Sequence, residues 1–270
     1  MPRFLKGGAR FFLVTAGIIA LTSFTIDATD MLSGSQSALG ILADRATGNC
    51  PEGMVEVDGP DGLFCIDEFE VSVGPDCPNL SPRAGADTAL NINNPACLPV
   101  SIDGGTPWTY VARHQAESLC AKAGKRLPNV SEWYIAALGT PDSKSCNTNG
   151  NLRATSESLC RSGSGAYDMI GNVWELTSSV AQNGEVDGRN LPLEGYVSGV
   201  DERGVPNLSS STASVSFNDD YVWTESEGEY AIMRGGFYGG GSDAGIYAVH
   251  AKIDLNFNSA AIGFRCAQSI

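Results

Sequence analysis

The chain has 270 residues, of which 42% are hydrophobic, so it can form one sizeable domain or two small ones with a real core. Its net charge of -14 disfavours binding to the phosphate backbone of nucleic acids. Eight cysteines without a Cys-x-x-Cys pair argue against a zinc ribbon or a thioredoxin-type site. Only two histidines are present, His114 and His250, which argues against a histidine-rich iron or zinc centre.

The N-terminus, residues 1–28, has the pattern of an export signal. Basic residues in the first ten positions precede an uncharged apolar run, Phe11 to Ile26. This pattern is typical of a signal peptide or of a short uncleaved signal anchor, and the absence of a clear cleavage site leaves both open. Residues 29–49 are predicted to form a helical stalk or linker. An even number of cysteines in an exported chain indicates disulfides, so we expect an extracellular or cell-surface protein.

A globular domain is predicted from residue 50 to residue 270, and it begins with a hairpin. Met54 to Val57 and Phe64 to Asp67 alternate between apolar and polar residues, as half-buried strands do. The turn residues Asp58 to Gly62 separate them. The second strand is expected to continue to Val73, and residues 74–98 read as a loop.

Two helices are predicted next. The first covers about Tyr110 to Ala123 and ends at Gly124, which is a good C-terminal cap. The second begins after Asn129, and Glu132 three residues later completes a capping box. Residues 140–166 read as a loop. Residues 181–229 form a polar insertion of unassigned fold, and a loop of that length is usually functional or partly disordered.

Several short motifs follow one another in a characteristic order: Gly124 to Pro128 (GKRLP), Glu132–Trp133, Tyr167 to Glu175 (YDMIGNVWE), Arg234 to Gly236 (RGG) and Gly263 to Cys266 (GFRC). Together they resemble the formylglycine-generating enzyme (sulfatase-modifying factor) family over about Gly53 to Ile270. The resemblance implies an α+β, C-type-lectin-like fold of the sulfatase-modifying factor type, with short strands, two main helices and long loops. An N-terminal hydrophobic helix would precede this domain.

The resemblance also implies a disulfide between Cys120 and Cys266, which would join the first helix to the C-terminal strand. The other six cysteines can be paired by proximity alone, although connectivity cannot be read from sequence. Sequential pairing predicts the bridges Cys50–Cys65, Cys77–Cys97 and Cys146–Cys160.

A calcium site is a further expectation. Ca²⁺ prefers carboxylate and carbonyl oxygens, and Asp168 and Glu175 flank a Gly-Asn turn. The resemblance implies that Asp168 and Glu175 bind calcium through their side chains, and Gly171 and Val173 through main-chain oxygens.

Enzymatic activity of the family type is expected to be absent. The family's oxidase uses two cysteines that correspond to Gly240 and Gly245 of this chain, and glycine offers neither a nucleophile nor a copper ligand. No copper is therefore expected. His114 lies in no recognisable catalytic motif and reads as a surface residue.

The C-terminal segment resembles the variable region of diversity-generating retroelement target proteins. Its frame is Arg234 to Gly236, Ala244 to Ala248 and Ile262 to Cys266. Tyr, Ser, Gly and Asn between these blocks are residue types that suit adaptable binding surfaces. The resemblance implies a recognition face formed by Phe237, Tyr238, Gly239, Gly240, Ser242, Asp243, Tyr247, His250, Ile253, Asp254, Phe257 and Ala261.

The sequence thus favours a non-catalytic, extracellular ligand-binding protein with a diversified face. Its ligand would be an unidentified protein or glycan, and the N-terminal segment would tie it to a membrane if uncleaved. Two alternatives stay open: a divergent enzyme of the family, and a structural component of the cell envelope or of a pilus.

Overall fold

The computed structural model describes residues 49–142, 145–156 and 159–270. The predicted export segment, and all of the predicted stalk except Asn49, lie outside these residues. Residues Cys50–Ile270 form one compact unit. Within the described part of the chain, no helix combines the length and the apolar character that a membrane crossing requires.

The described residues form a mixed α+β structure in which strands outnumber helices, as the sequence predicts. The helices are α1 (Gly85–Asn93), α2 (Arg113–Lys122) and α3 (Val130–Ala137). The strands are β1 (Met54–Gly59), β2 (Gly62–Asp67), β3 (Ser72–Val73), β4 (Pro99–Val100), β5 (Trp174–Gln182), β6 (Glu185–Val186), β7 (Arg189–Asn190), β8 (Gly195–Val200), β9 (Pro206–Ser210), β10 (Tyr221–Thr224), β11 (Glu229–Arg234), β12 (Val249–Ile253), β13 (Ile262–Phe264) and β14 (Ala267–Ser269).

Helix α1 corrects the expectation of two main helices, because it lies in the segment predicted as a loop. Its buried residues are Thr88 and Asn91, both polar. Thr88 donates to the Tyr110 carbonyl, and the Asn91 amide exchanges two hydrogen bonds with the backbone of Asn79. Since hydrogen bonds rather than an apolar stripe hold this helix, a search for hydrophobic periodicity does not detect it.

The ends of α2 and α3 agree with the sequence. Gly124 has a φ of +71°, and its N–H donates to Ala121 while the next N–H donates to Cys120, the pattern of a Schellman motif. The Asn129 side chain accepts from the N–H groups of the first turn of α3, and the Glu132 carboxylate accepts a bond from the Asn129 N–H. Helix α2 begins later than predicted, because Tyr110 has a φ of +55° and cannot be helical.

The predicted hairpin is confirmed as β1 and β2, and β14 joins it to form a three-stranded sheet. The large sheet has the order β7-β6-β5-β11-β12-β10-β8-β9, with β13 paired to β5. The polar insertion, residues 181–229, therefore contains the five strands β6 to β10 and is not an irregular loop. Its buried residues, such as Val197 and Val222, pack against one face of β11 and β12. They are too few and too widely spaced to stand out in the sequence.

The four predicted disulfides are all present: Cys50–Cys65, Cys77–Cys97, Cys120–Cys266 and Cys146–Cys160. The Cys120–Cys266 bridge closes a separation of 146 residues and ties α2 to the chain between β13 and β14. A closed loop of this length is worth about 5 kcal/mol in the chain-entropy description. The four bridges indicate an oxidising compartment.

Candidate recognition face

The frame of the C-terminal segment lies in the core. Arg234 is fully buried, and its guanidinium donates to the carbonyls of Gly204 (3.1 Å) and Ile246 (2.6 Å). It also lies over the rings of Trp133 and Tyr134, at 5.1 and 5.7 Å from their centroids. Burial lowers the pKa of Arg234 to about 10, which leaves it charged at neutral pH. Arg234 thereby fixes both ends of the loop that precedes β12.

Close packing requires glycine at both glycine positions of the Arg-Gly-Gly block, Gly235 and Gly236. Both have φ near +90°, a conformation that other residues rarely adopt. A Cβ at Gly235 would come within 2.6 Å of the Met169 carbonyl oxygen, and a Cβ at Gly236 would overlap the Ala244 side chain. The Arg-Gly-Gly sequence is therefore a packing requirement.

The second end of the frame is fixed by an ion pair. The Arg265 guanidinium donates to both carboxylate oxygens of Glu175, at 2.6 and 2.5 Å, and both side chains are buried. It also donates to the backbone carbonyls of Asp67 and Tyr167. Arg265 thus joins β5, the hairpin and the C-terminal strand.

The predicted face residues, in contrast, all reach solvent. Gly239, Ser242, Asp254 and Phe257 are exposed, and Phe257 is 49% exposed. The other members are half-buried: Phe237, Tyr238, Gly240, Asp243, Tyr247, His250, Ile253 and Ala261.

The contacts of these residues set Tyr247 apart from Phe237 and Ile253. Phe237 stacks edge-on with Tyr238 at 5.3 Å, and Phe237 and Ile253 both pack on the cluster of buried residues beneath α2. Tyr247 does not join them. Its ring contacts Tyr134 and Phe217 and packs against two other core clusters, so Tyr247 supports the frame.

Sequence reasoning missed three aromatic residues that adjoin His250, because they lie in the segment of unassigned fold. Tyr196 on β8, Tyr221 and Trp223 on β10, and His250 on β12 form a continuous series of ring contacts, which we call the aromatic row. The centroid distances along it are 5.1, 4.8 and 5.4 Å. The signal available in the sequence was the alternation of Tyr221, Val222 and Trp223, which places both rings on one side of a strand.

Charged groups border the aromatic row. The Lys252 ammonium lies 2.9 Å from Glu194 and 3.0 Å from Glu225. Partial burial raises the pKa of Asp243, and burial, with the charges of Glu194 and Asp243, raises the pKa of Tyr221. His250 behaves differently: burial lowers its pKa to about 4, so the imidazole is neutral at pH 7.

The two glycines that the resemblance equates with the family's catalytic cysteines, Gly240 and Gly245, have different surroundings. A Cβ at Gly240 would lie 3.0 Å from the Ala244 side chain, which a small shift accommodates. A Cβ at Gly245 would overlap the carboxylate of Asp220. Asp220 is fully buried and accepts a 2.7 Å bond from the Tyr247 N–H, and burial raises its pKa well above the usual value.

The two carboxylates proposed for calcium, Glu175 and Asp168, accept hydrogen bonds from other groups of the protein. Both Glu175 oxygens are engaged by Arg265, and one also accepts from the Trp133 indole N–H at 2.6 Å. Asp168 is buried and accepts from the Ser156 N–H. In the described part of the chain, no three His, Cys, Asp or Glu side chains are grouped to hold a metal. Glu175 as placed already accepts three hydrogen bonds, so the calcium site rests on the family resemblance alone.

The backbone N–H groups of the two remaining calcium positions are hydrogen-bonded within the protein. The Gly171 N–H donates to the Gly235 carbonyl, and the Val173 N–H donates to the Glu70 carboxylate. Burial, together with the charges of Asp168 and Glu175, raises the pKa of Glu70 well above its usual value.

Comparison with known proteins gives one family and several similar folds. The family model described as "Sulfatase-modifying factor enzyme 1-like domain" matches residues 64–270. No curated protein is significantly similar to this chain.

Three solved structures illustrate the similar folds. The Major Tropism Determinant M1 variant is 18% identical (TM-score 0.48), and the alignment covers 83% of this chain and 54% of that protein, so the chain spans about half its length. PvdO from Pseudomonas aeruginosa is 17% identical (TM-score 0.44), and the alignment covers 82% of this chain and 92% of that protein. Treponema denticola variable protein 1 is 13% identical (TM-score 0.42), and the alignment covers 80% of this chain and 95% of that protein. Similarities of this size concern the path of the chain and say nothing about ligands.

Proposed function

Because the chain belongs to the family of sulfatase-modifying factor enzyme 1-like domains, we propose that it presents a non-catalytic recognition face on that scaffold. One observation carries the proposal. Between Arg234 and Cys266 every frame residue except Tyr247 is buried, whereas every predicted face residue reaches solvent. Such a division lets the face change while the core is kept, and the ligand would be a protein or a glycan.

The surroundings of the former cysteine positions support the absence of the family's oxidation chemistry. All eight cysteines are in disulfides, so no thiol is available as a nucleophile or copper ligand. The space at Gly245 is filled by Asp220. An assay of a Cys-x-Pro-x-Arg peptide for aldehyde formation tests this point, and we expect no product.

The disulfides also support a place outside the cell, and we propose that the N-terminal segment directs export and, if retained, anchors the protein in a membrane. Diversification of the face by a retroelement is part of the proposal. It requires a reverse transcriptase gene and a near-repeat of the coding sequence for residues 234–266 beside this gene. If the genomic neighbourhood contains neither, the face is not diversified in this way.

Two matched libraries of the displayed protein test the recognition face. The first varies four exposed face positions: Gly239, Ser242, Asp254 and Phe257. The second varies four buried frame positions: Gly235, Gly236, Ala244 and Gly263. Folding is scored by protease resistance, and binding by selection against panels of purified proteins and glycans. We expect most members of the face library to fold and some to bind specific targets, while the frame library unfolds. Equal unfolding of both libraries, or a folded face library without any binder, would overturn the proposal.

A further inference from the structure

The aromatic row lies on one face of the large sheet. This face is buried at β5 and β11 and becomes partly exposed towards β10 and β8. His250 pairs with Met233 across β12 and β11, and Met233 pairs with Leu176, both of which are buried. In the other direction His250 pairs with Trp223, and Tyr221 pairs with Tyr196. Directly paired residues share a face of a sheet. One sheet face therefore begins as core and ends as a row of partly exposed rings.

The row is held in place by its neighbours. Trp223 and His250 stack with an interplanar angle of 19°, and Trp174 meets both rings edge-on at 5.5 and 5.7 Å. Trp174 is 6% exposed, so its ring is fixed by the core. A preorganised aromatic surface loses little entropy when it binds a ligand.

The charges beside the row are unbalanced. Glu194 and Glu225 share the ammonium of Lys252, and the charge of Asp243 also acts on Tyr221. The acids thus outnumber the base, in a chain whose net charge is already -14. The neutral state of His250 at pH 7 adds no positive charge to this surface.

On the basis of the recognition face proposed above, we propose that the aromatic row and its acidic border bind a cationic group of a protein partner, namely an arginine or lysine side chain. The faces of Trp and Tyr rings attract cations through their quadrupole, and the neighbouring carboxylates add direct attraction. A neutral sugar would use the rings but gain nothing from the acids. An anionic ligand would be repelled by them.

This inference adds residues of the insertion to the recognition face. Tyr196, Tyr221 and Trp223 are contributed by strands between residues 181 and 229, outside the segment with the variable-region pattern. They would form a constant cation-binding part of the face, while residues such as Ser242 and Phe257 adjust the fit to a particular partner.

The test uses the full chain and a fluorescein-labelled peptide of alternating arginine and serine, with a second peptide in which citrulline replaces arginine. Citrulline keeps the shape of arginine and removes its charge. Fluorescence anisotropy is measured at about 0.15 M salt, where long-range attraction is largely screened. We expect the arginine peptide to bind, and the citrulline peptide to bind about tenfold more weakly or not at all.

Four variants locate the site. Trp223→Leu should weaken binding of the arginine peptide about tenfold, whereas Trp223→Phe, which keeps a ring, should retain most of it. Glu225→Gln removes one negative charge at the row, and Asp58→Asn removes one on the exposed hairpin as a matched control. We expect a loss for the first and no change for the second. Unchanged melting temperatures show that each variant is folded.

The proposal of a cationic ligand is overturned if the two peptides bind equally, if the arginine peptide does not bind, or if Glu225→Gln and Asp58→Asn have equal effects. Competition by a neutral oligosaccharide, with no effect of charge, would identify a glycan site instead and also overturn it. In each case binders obtained from the face library would still support the recognition face itself, so the two proposals fail separately.

Discussion

The carboxylate of Asp220 occupies the space that a side chain at Gly245 would need. Asp220 precedes β10, in the polar insertion, and it accepts a hydrogen bond from the Tyr247 N–H. The insertion therefore reaches into the C-terminal segment and holds the loop before β12. Gly245 and Asp220 are a matched pair: no side chain can be added at position 245 without displacing a buried carboxylate.

Adding a methyl group at Gly245 and at Gly240 should have unequal effects. We expect Gly245→Ala to lower the free energy of unfolding by about 2–4 kcal/mol, because Asp220 must move. Gly240→Ala should cost less than about 1.5 kcal/mol, since its nearest contact lies at 3.0 Å. Urea denaturation of both variants measures the difference.

A double-mutant cycle assigns the cost to the pair. If Asp220 is the obstacle, Gly245→Ala combined with Asp220→Ala should be less destabilised than the sum of the single changes, by about 1 kcal/mol or more. Additive effects would show that Gly245 is needed for another reason.

Asp220 should also make stability depend on pH. Burial raises its pKa in the folded state above the unfolded value of 3.8. Its stabilising contribution is therefore complete below pH 3.8 and is lost as pH rises through the raised pKa, where folding must bury a charge. Asp220→Asn keeps the shape and cannot ionise, so its unfolding free energy should decline less from pH 4 upward. Parallel curves for the two proteins in urea titrations between pH 4 and pH 8 would contradict this.

The sequence predicted the parts of the fold that depend on local patterns and on the family motifs. The hairpin at Met54–Asp67, the caps at Gly124 and Asn129 and the four disulfides are of this kind. Helix α1 and the strands of the insertion were missed, because polar contacts and sparse valines hold them in place. Asp220 could not be found either, since its role depends on contact with Gly245, 25 positions further along the chain.

His250 should titrate far below the ordinary range of histidine. Burial lowers its pKa from 6.5 to about 4, so its contribution to stability is present above pH 6.5 and is lost as pH falls towards 4. The loss is at most about 3 kcal/mol, reduced by the partial exposure of the ring. NMR titration of the imidazole signal, assigned with His250→Gln, gives the pKa directly. A midpoint above 6 would mean that the ring is solvated, and the stacking on Trp223 would then be in doubt.

Glu175 should behave as the counter-ion of Arg265 and not as a metal ligand. Glu175→Gln leaves a buried guanidinium without its partner, and we expect a loss of about 3–5 kcal/mol in the free energy of unfolding. Glu117→Gln is the matched control, because the Arg113–Glu117 pair is partly exposed and should be worth about 0.5 kcal/mol or less. Since both oxygens of Glu175 are already engaged, a calcium chelator should leave the melting temperature unchanged. A fall of several degrees on chelation, reversed by added calcium and abolished by Asp168→Asn, would instead establish the calcium site that the family resemblance implies.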